Sequence, residues 1–140
     1  SEIRTPEIAY YASRVSAVPE VREFLLNTQR DMAKNGNILM DGRDIGTVIL
    51  PDAPVKIFLT ASAESRAERR YKELIAKGQQ VTMESVLHDI NERDRQDMNR
   101  AIAPLRQAED AVLLDTSALT LEESIASVLR IIREKTEENK

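Results

Sequence analysis

The segment Asn37-Ile38-Leu39-Met40-Asp41-Gly42-Arg43-Asp44-Ile45-Gly46-Thr47 concentrates the residue types that do chemistry. An apolar run ends in Asp-Gly-Arg-Asp, and a second glycine follows. Ligands of open α/β sheets bind at the carboxyl ends of the strands, where such a run would deliver its charged groups. Arg43 is a planar, permanent cation suited to phosphate. Asp41 and Asp44 can accept from a sugar hydroxyl, pair with an arginine or hold the water shell of a metal. Gly42 and Gly46 permit a tight turn or a close approach to a ligand. An ordinary turn with two solvated acids has the same composition, because Asp-Gly turns are common.

A second set of charges lies on one helix stripe. Val86, Ile90, Arg93, Asp97 and Arg100 follow at spacings of four, three, four and three, so they share one face. The stripe starts apolar and ends Arg, Asp, Arg, as a helix does on leaving a core for a polar pocket. Arg95 and Asp94 flank it and read as an ion-paired exposed end. A third set, Arg66 and Arg70, is four residues apart on the preceding helix and also shares a face. Anion binding and neutralisation by Glu64, Glu68 and Glu73 on a solvated face explain this pair equally well. Ser13 and Arg22, near a helix break, read from pattern alone as exposed side chains. The single histidine, His88, lies off the stripe and is expected at the surface.

The elements that position these residues read in order along the chain. Thr5-Pro6 opens a helix that runs to about Ala17. Pro19 starts a second, with Val21, Phe24, Leu25 and Met32 on one face, and Asn35-Gly36-Asn37 stops it. Ile38–Met40 reads as a strand and Val48–Leu50 as a second apolar patch. Val55–Thr60, apolar and β-branched, reads as a strand buried on both faces. Ser62 caps a helix over 63–77 that ends at Gly78. Thr82 caps the next, from Met83 to about Arg100. Ala111–Asp115 is another strand ending in an acid. Thr120–Glu123 is a capping box for a helix to about Lys135, with Leu121, Ile125, Val128, Leu129 and Ile132 as its core face. Residues 136–140 are expected to fray. Strand, helix and strand in this order predict an α/β fold with a parallel sheet.

Bulk composition narrows the possibilities. The 140 residues suffice for one modest domain, and 41% hydrophobic with 31% charged residues is a globular balance. Cysteine is absent, so a disulfide framework and thiolate metal sites are excluded. No apolar run approaches the ~20 residues that cross a bilayer. No signal-peptide pattern opens the sequence, and a soluble, cytoplasmic protein is the expectation. A net charge of −4 argues against a nucleic-acid coat. Arginines set beside aspartates suit a small anionic ligand.

The order of these segments resembles the C-terminal part of the bacterial cytidylate kinases, which are P-loop nucleoside monophosphate kinases. The resemblance rests on Glu2–Thr5, Pro19–Arg22, Asp41–Thr47, Pro51–Leu59, Arg66–Arg70, Glu92–Asp94 and Asp97–Arg100. It implies a three-layer P-loop kinase-type parallel sheet with flanking helices, here incomplete. Residues 1–140 would form a single partial kinase domain. Residues 1–36 would end the acceptor-binding insertion and its following helices, and 37–140 would hold core strands, lid helices and C-terminal helix. The implied reaction is transfer of the ATP γ-phosphoryl group to CMP or dCMP with Mg²⁺, without a covalent nucleophile. Ser13, Arg22 and Asp44 would hold the acceptor through base, phosphate and sugar contacts, and Arg93, Asp97 and Arg100 would complete its pocket. Arg43 would lie at the transferring phosphoryl group or the acceptor phosphate. Arg66 and Arg70 would reach ATP, and Asp41 would support Mg²⁺ as a Walker-B-like acid. Such roles fit phosphoryl transfer, which is mostly positioning and charge neutralisation.

The departure from the family is the phosphate loop. None of Gly36, Gly42, Gly46 and Gly78 sits in a Gly-x-x-x-x-Gly-Lys-Ser/Thr pattern. The expectation is a chain lacking that loop and the first strand, with unpaired strand edges. It would not turn over by itself, and would associate with the missing N-terminal portion or with itself. A UMP or AMP kinase, a non-catalytic nucleotide-binding fragment and a structural domain are the alternatives. The last predicts that Asp97→Ala or Arg100→Ala changes stability by no more than about 0.5 kcal/mol.

Overall fold

Two short strands, β1 (Ile57–Thr60) and β2 (Val112–Asp115), pair in parallel, with Ile57 opposite Val112 and Thr60 opposite Asp115. Parallel neighbours require a crossover. It is supplied by two helices, α3 (Ala63–Ala76) and α4 (Met83–Met98). Ahead of β1 come α1 (Pro6–Val15), α2 (Pro19–Lys34) and a π-helical turn over Ile45–Ile49, and α5 (Leu121–Glu138) follows β2. This computed structural model describes residues 6–16 and 18–138. The expected cap at Thr5 and helix end at Ala17 lie outside them. So do the side chains of Pro6, Ala9, Ser13 and Glu138.

Local chemistry sets most boundaries. The Ser62 hydroxyl accepts from the Ser65 N–H (3.1 Å) and starts α3. Its end is a Schellman motif: the Gly78 N–H donates to the Ile75 carbonyl (2.9 Å) and the Gln79 N–H to that of Leu74 (3.0 Å). This closure places Gly78 at φ 75°, where any Cβ is strained. Gly78→Ala should therefore lower stability by about 1 kcal/mol, read as a fall in the urea midpoint with unchanged slope. No neighbouring atom would clash with the new methyl, so an unchanged midpoint would mean that the turn is not held in the folded protein. Thr82 and Ser85 form a capping box at α4, and Thr120 and Glu123 exchange the same reciprocal bonds at α5.

The main apolar cluster lies between α3 and α4. Ala67 (fully buried), Leu74 and Val86 form it, with Tyr71, Val81, Leu87 and Ile90 packed around them. The small side chain at Ala67 lets the helices approach. His88 is exposed, as expected.

Three expectations are corrected. Ile38–Met40 is irregular rather than a strand, and Leu39 is 88% exposed. A strand exists only through hydrogen bonds to a neighbour, and β1 pairs with β2 alone among the described residues. The apolar patch Val48–Leu50 lies at the end of the π-helical turn. Val48 and Ile49 close the π-helical turn, where Ile49 is buried. On α5 the expected core face is largely open: Leu121, Ile125 and Leu129 are exposed, Val128 and Ile132 are half-buried, and Ile131 is the buried residue. Two strands span only about 10 Å, too narrow a layer to cover a whole helix stripe. The helix also runs on through Glu138 instead of fraying after Lys135, with the Thr136 hydroxyl donating to the Ile132 carbonyl (2.8 Å).

Candidate active site

Three segments far apart in sequence meet at one cavity of about 270 Å³, lined by Ala12, Ser16, Arg22, Arg43, Asp44, Arg93, Asp97 and Arg100. The start of α2 supplies Arg22, the loop after Asp41 supplies Arg43 and Asp44, and the last turns of α4 supply Arg93 and Asp97. Arg100 follows two residues after α4. The stripe read from the sequence therefore does leave the apolar cluster at Val86 and reach a polar pocket.

The charges are already paired. Arg22 donates to Asp44, and also to the Ser16 carbonyl (3.3 Å). Arg43 donates to one oxygen of Asp97, and Arg100 lies 3.4 Å from the other. Asp97 is only 6% exposed, and a buried carboxylate needs such partners. After α4 ends, Ala103 adopts φ 50°, and the Leu105 N–H returns to the Asp97 carbonyl (2.9 Å). That return fold holds the end of α4 in place.

The pairing is incomplete. Four guanidinium cations face two carboxylates, so the cavity keeps an excess of two positive charges. The Nε of Arg100 is buried with no acceptor. Arg93 is pushed below the ordinary arginine range, first by partial burial and then by the neighbouring Arg43 cation. A site with surplus charge, an unused buried donor and crowded guanidinium groups suits a dianion with several oxygen acceptors, such as a phosphate monoester.

Gly42 has a close-packing role. A Cβ there would sit 2.9 Å from the Ile45 side chain, so any larger residue in the turn that presents Arg43 would force Ile45 to move. Asp41 does not line the cationic cavity. It borders an adjoining, mainly apolar cleft of about 450 Å³ together with Leu26, Val48 and Ile102. Among the described residues no three metal-ligating side chains converge.

Arg66 and Arg70 also lie outside the cavity. Arg66 makes a two-pronged pair with Asp94 (2.9 and 2.6 Å) and donates from Nε to the Ala61 carbonyl (3.0 Å). The Asp94 bond holds Arg66 above the ordinary arginine range. This corrects the reading of Asp94 as a partner of Arg95, which pairs with Glu92 instead. Arg70 pairs with Glu73 (2.8 Å), the solvated-face arrangement. Arg69, to which the sequence reading assigns no role, donates to the Thr116 carbonyl and joins α3 to the end of β2. Ser16 was also not foreseen, since a lone serine at a helix break has no distinguishing pattern. Ser13 lies on α1, which borders the cavity through Ala12 and Ser16, but its side chain is outside the described residues.

A family model described as "Cytidylate kinase" matches residues 1–134. The sequence is 56% identical over 135 residues to the cytidylate kinase of Thermosipho melanesiensis, covering 96% of this chain and 62% of that protein. It is 53% identical to that of Carboxydothermus hydrogenoformans (96% and 61% covered). For the Lactococcus lactis protein the identity is 52% (97% and 60% covered). The chain thus spans about 60% of the length of the curated relatives it matches.

Proposed function

Since the chain belongs to the cytidylate kinase family, we propose that it is the acceptor-binding and lid portion of an ATP-dependent kinase that phosphorylates CMP or dCMP. The family fold is that of the P-loop kinases, and β1, β2 and the helices around them are part of its parallel sheet and flanking layers. Residues 1–140 act as one partial kinase domain in this reading, and its compartment is the cytoplasm. No described helix is long and apolar enough to cross a membrane.

The observation that carries the reading is the cationic cavity with its orphaned Arg100 Nε. Its two surplus charges match the dianionic phosphate of a nucleoside monophosphate. Arg22, Arg43 and Arg100 neutralise and orient that phosphate, and Arg43 stays at the group being transferred. Ser13, Asp44, Arg93 and Asp97 serve the sugar and base. Charge neutralisation and alignment of this kind supply most of the catalysis in phosphoryl transfer. Arg66 and Arg70 would meet ATP from α3, and Arg66 would have to share its Asp94 contacts to do so. Mg²⁺ bound with ATP would supply charge neutralisation at the phosphates, held in part by a carboxylate of this chain. The exposed carboxylate of Asp41 fits that role.

Every residue of the cavity comes from this chain, while no Gly-x-x-x-x-Gly-Lys-Ser/Thr segment occurs in its 140 residues. The isolated chain is therefore expected to bind CMP without turning it over. Calorimetric titration with CMP, UMP, AMP and unphosphorylated cytidine tests this. CMP should bind in preference to the other nucleotides and at least tenfold more tightly than cytidine. Equal weak binding of all four, or none, would overturn the reading. Preference for UMP or AMP would reassign the acceptor within the same enzyme class.

A further inference from the structure

We propose that Arg30 is a positioning residue for acceptor binding, acting as a clamp that fixes the loop carrying Arg43 and Asp44. The functional half of this inference rests on the acceptor-pocket reading above. Arg30 lies outside the lining of the cavity and takes no part in any ion pair of the site. Its Nε donates to the Ile49 carbonyl (3.0 Å) and its terminal nitrogen to the Val48 carbonyl (2.9 Å).

Those two carbonyls end the π-helical turn. Carbonyls in the last turn of a helix have no partner within it, and a cation there also meets the negative end of the backbone dipoles. Ile49 is buried, so water is poorly placed to substitute. The other end of the turn carries the site. The Asp44 carbonyl accepts from the Val48 N–H (2.9 Å) and the Ile49 N–H (3.2 Å), and that of Ile45 from the Leu50 N–H (2.7 Å). Displacement of Val48 and Ile49 is thus transmitted through backbone bonds to Asp44 and its neighbour Arg43.

Arg22 and Arg30 sit eight residues apart on α2, on one i, i+4 ridge. Arg22 holds the Asp44 side chain at the front of the turn, and Arg30 holds the carbonyls at its back. One rigid helix grips the loop at two points. The two-pronged contact with successive carbonyls needs a planar guanidinium, because an ammonium group lacks the fork.

Arg30→Gln tests the clamp with two readouts. Amide hydrogen exchange should accelerate about tenfold or more over residues 44–50 while that of α3 and α4 stays as in the parent. CMP affinity, measured where circular dichroism shows both proteins folded, should fall about tenfold. Combined with Asp44→Asn, the joint loss of affinity should be smaller than the product of the two single losses, since both act through one loop. Unchanged exchange over 44–50, or equal acceleration across the whole chain, would overturn the clamp. Losses that multiply, or an unchanged affinity beside a lowered unfolding midpoint, would reduce Arg30 to a structural residue. If the parent chain itself bound no CMP, the acceptor reading would fail, and hydrogen exchange alone would decide the clamp.

Discussion

Asp97→Ala should lower the unfolding free energy of the chain by about 3 kcal/mol, the cost of removing one member of a buried ion pair. The Asp97 carboxylate is buried and serves Arg43 and Arg100 at once. Without it, four guanidinium groups would share the cavity with Asp44 alone, and Arg93 already suffers from the proximity of Arg43. Urea unfolding followed by circular dichroism gives the number. Asp97→Asn, which keeps an acceptor oxygen but not the charge, should lie between the two. Phosphate at millimolar concentration should restore part of the loss in Asp97→Ala, because an anion can take the place of the missing carboxylate. A change of no more than about 0.5 kcal/mol would mean that these pairs behave as exposed ones. It would then support a structural domain with solvated charge stripes.

The second large effect concerns binding. Arg43→Ala should weaken CMP about 100-fold, or about 2.7 kcal/mol, within the range for hydrogen bonds to charged groups. Arg43 is the arginine presented by the Gly42 turn, and its Asp97 contact orients it in advance at the cavity. Its loss removes a directed donor while leaving Arg22 and Arg100 in place. Arg43→Lys should recover little, since an ammonium group cannot hold Asp97 and a phosphate in the same fork geometry. Calorimetry of the three proteins with CMP decides the matter. An alanine variant that binds as the parent does would remove Arg43 from the acceptor site and shift the phosphate to Arg22 and Arg100.

Much of this site was legible in the amino-acid sequence for local reasons. Arg93 and Asp97 share a helix face by spacing alone, Arg100 follows just past its end, and that face does end in the cavity. Thr82, Ser62 and Thr120 mark helix starts by their own hydrogen-bonding chemistry. The Gly78 turn follows from the freedom of glycine at positive φ. Two readings that needed a neighbour failed. Ile38–Met40 has the composition of a strand but no partner strand among the described residues. Leu121, Ile125 and Leu129 have core spacing but nothing across from them.

The division has a physical cause. Propensity, capping and helix periodicity act within a few residues, so the sequence by itself determined the helices and the faces on which the arginines lie. Which arginine meets which acid is decided over long distances: Arg43 and Asp97 are 54 residues apart, Arg66 and Asp94 28, Arg22 and Asp44 22. Several acids were available to each arginine, and exposed pairings differ little in energy. Only the packing of α3 against α4, and the grip of α2 on the π-helical turn, selects one partner by bringing it within reach. The same packing set Arg66 against Asp94 outside the cavity and gathered four arginines around two aspartates, leaving the surplus charge that marks the site.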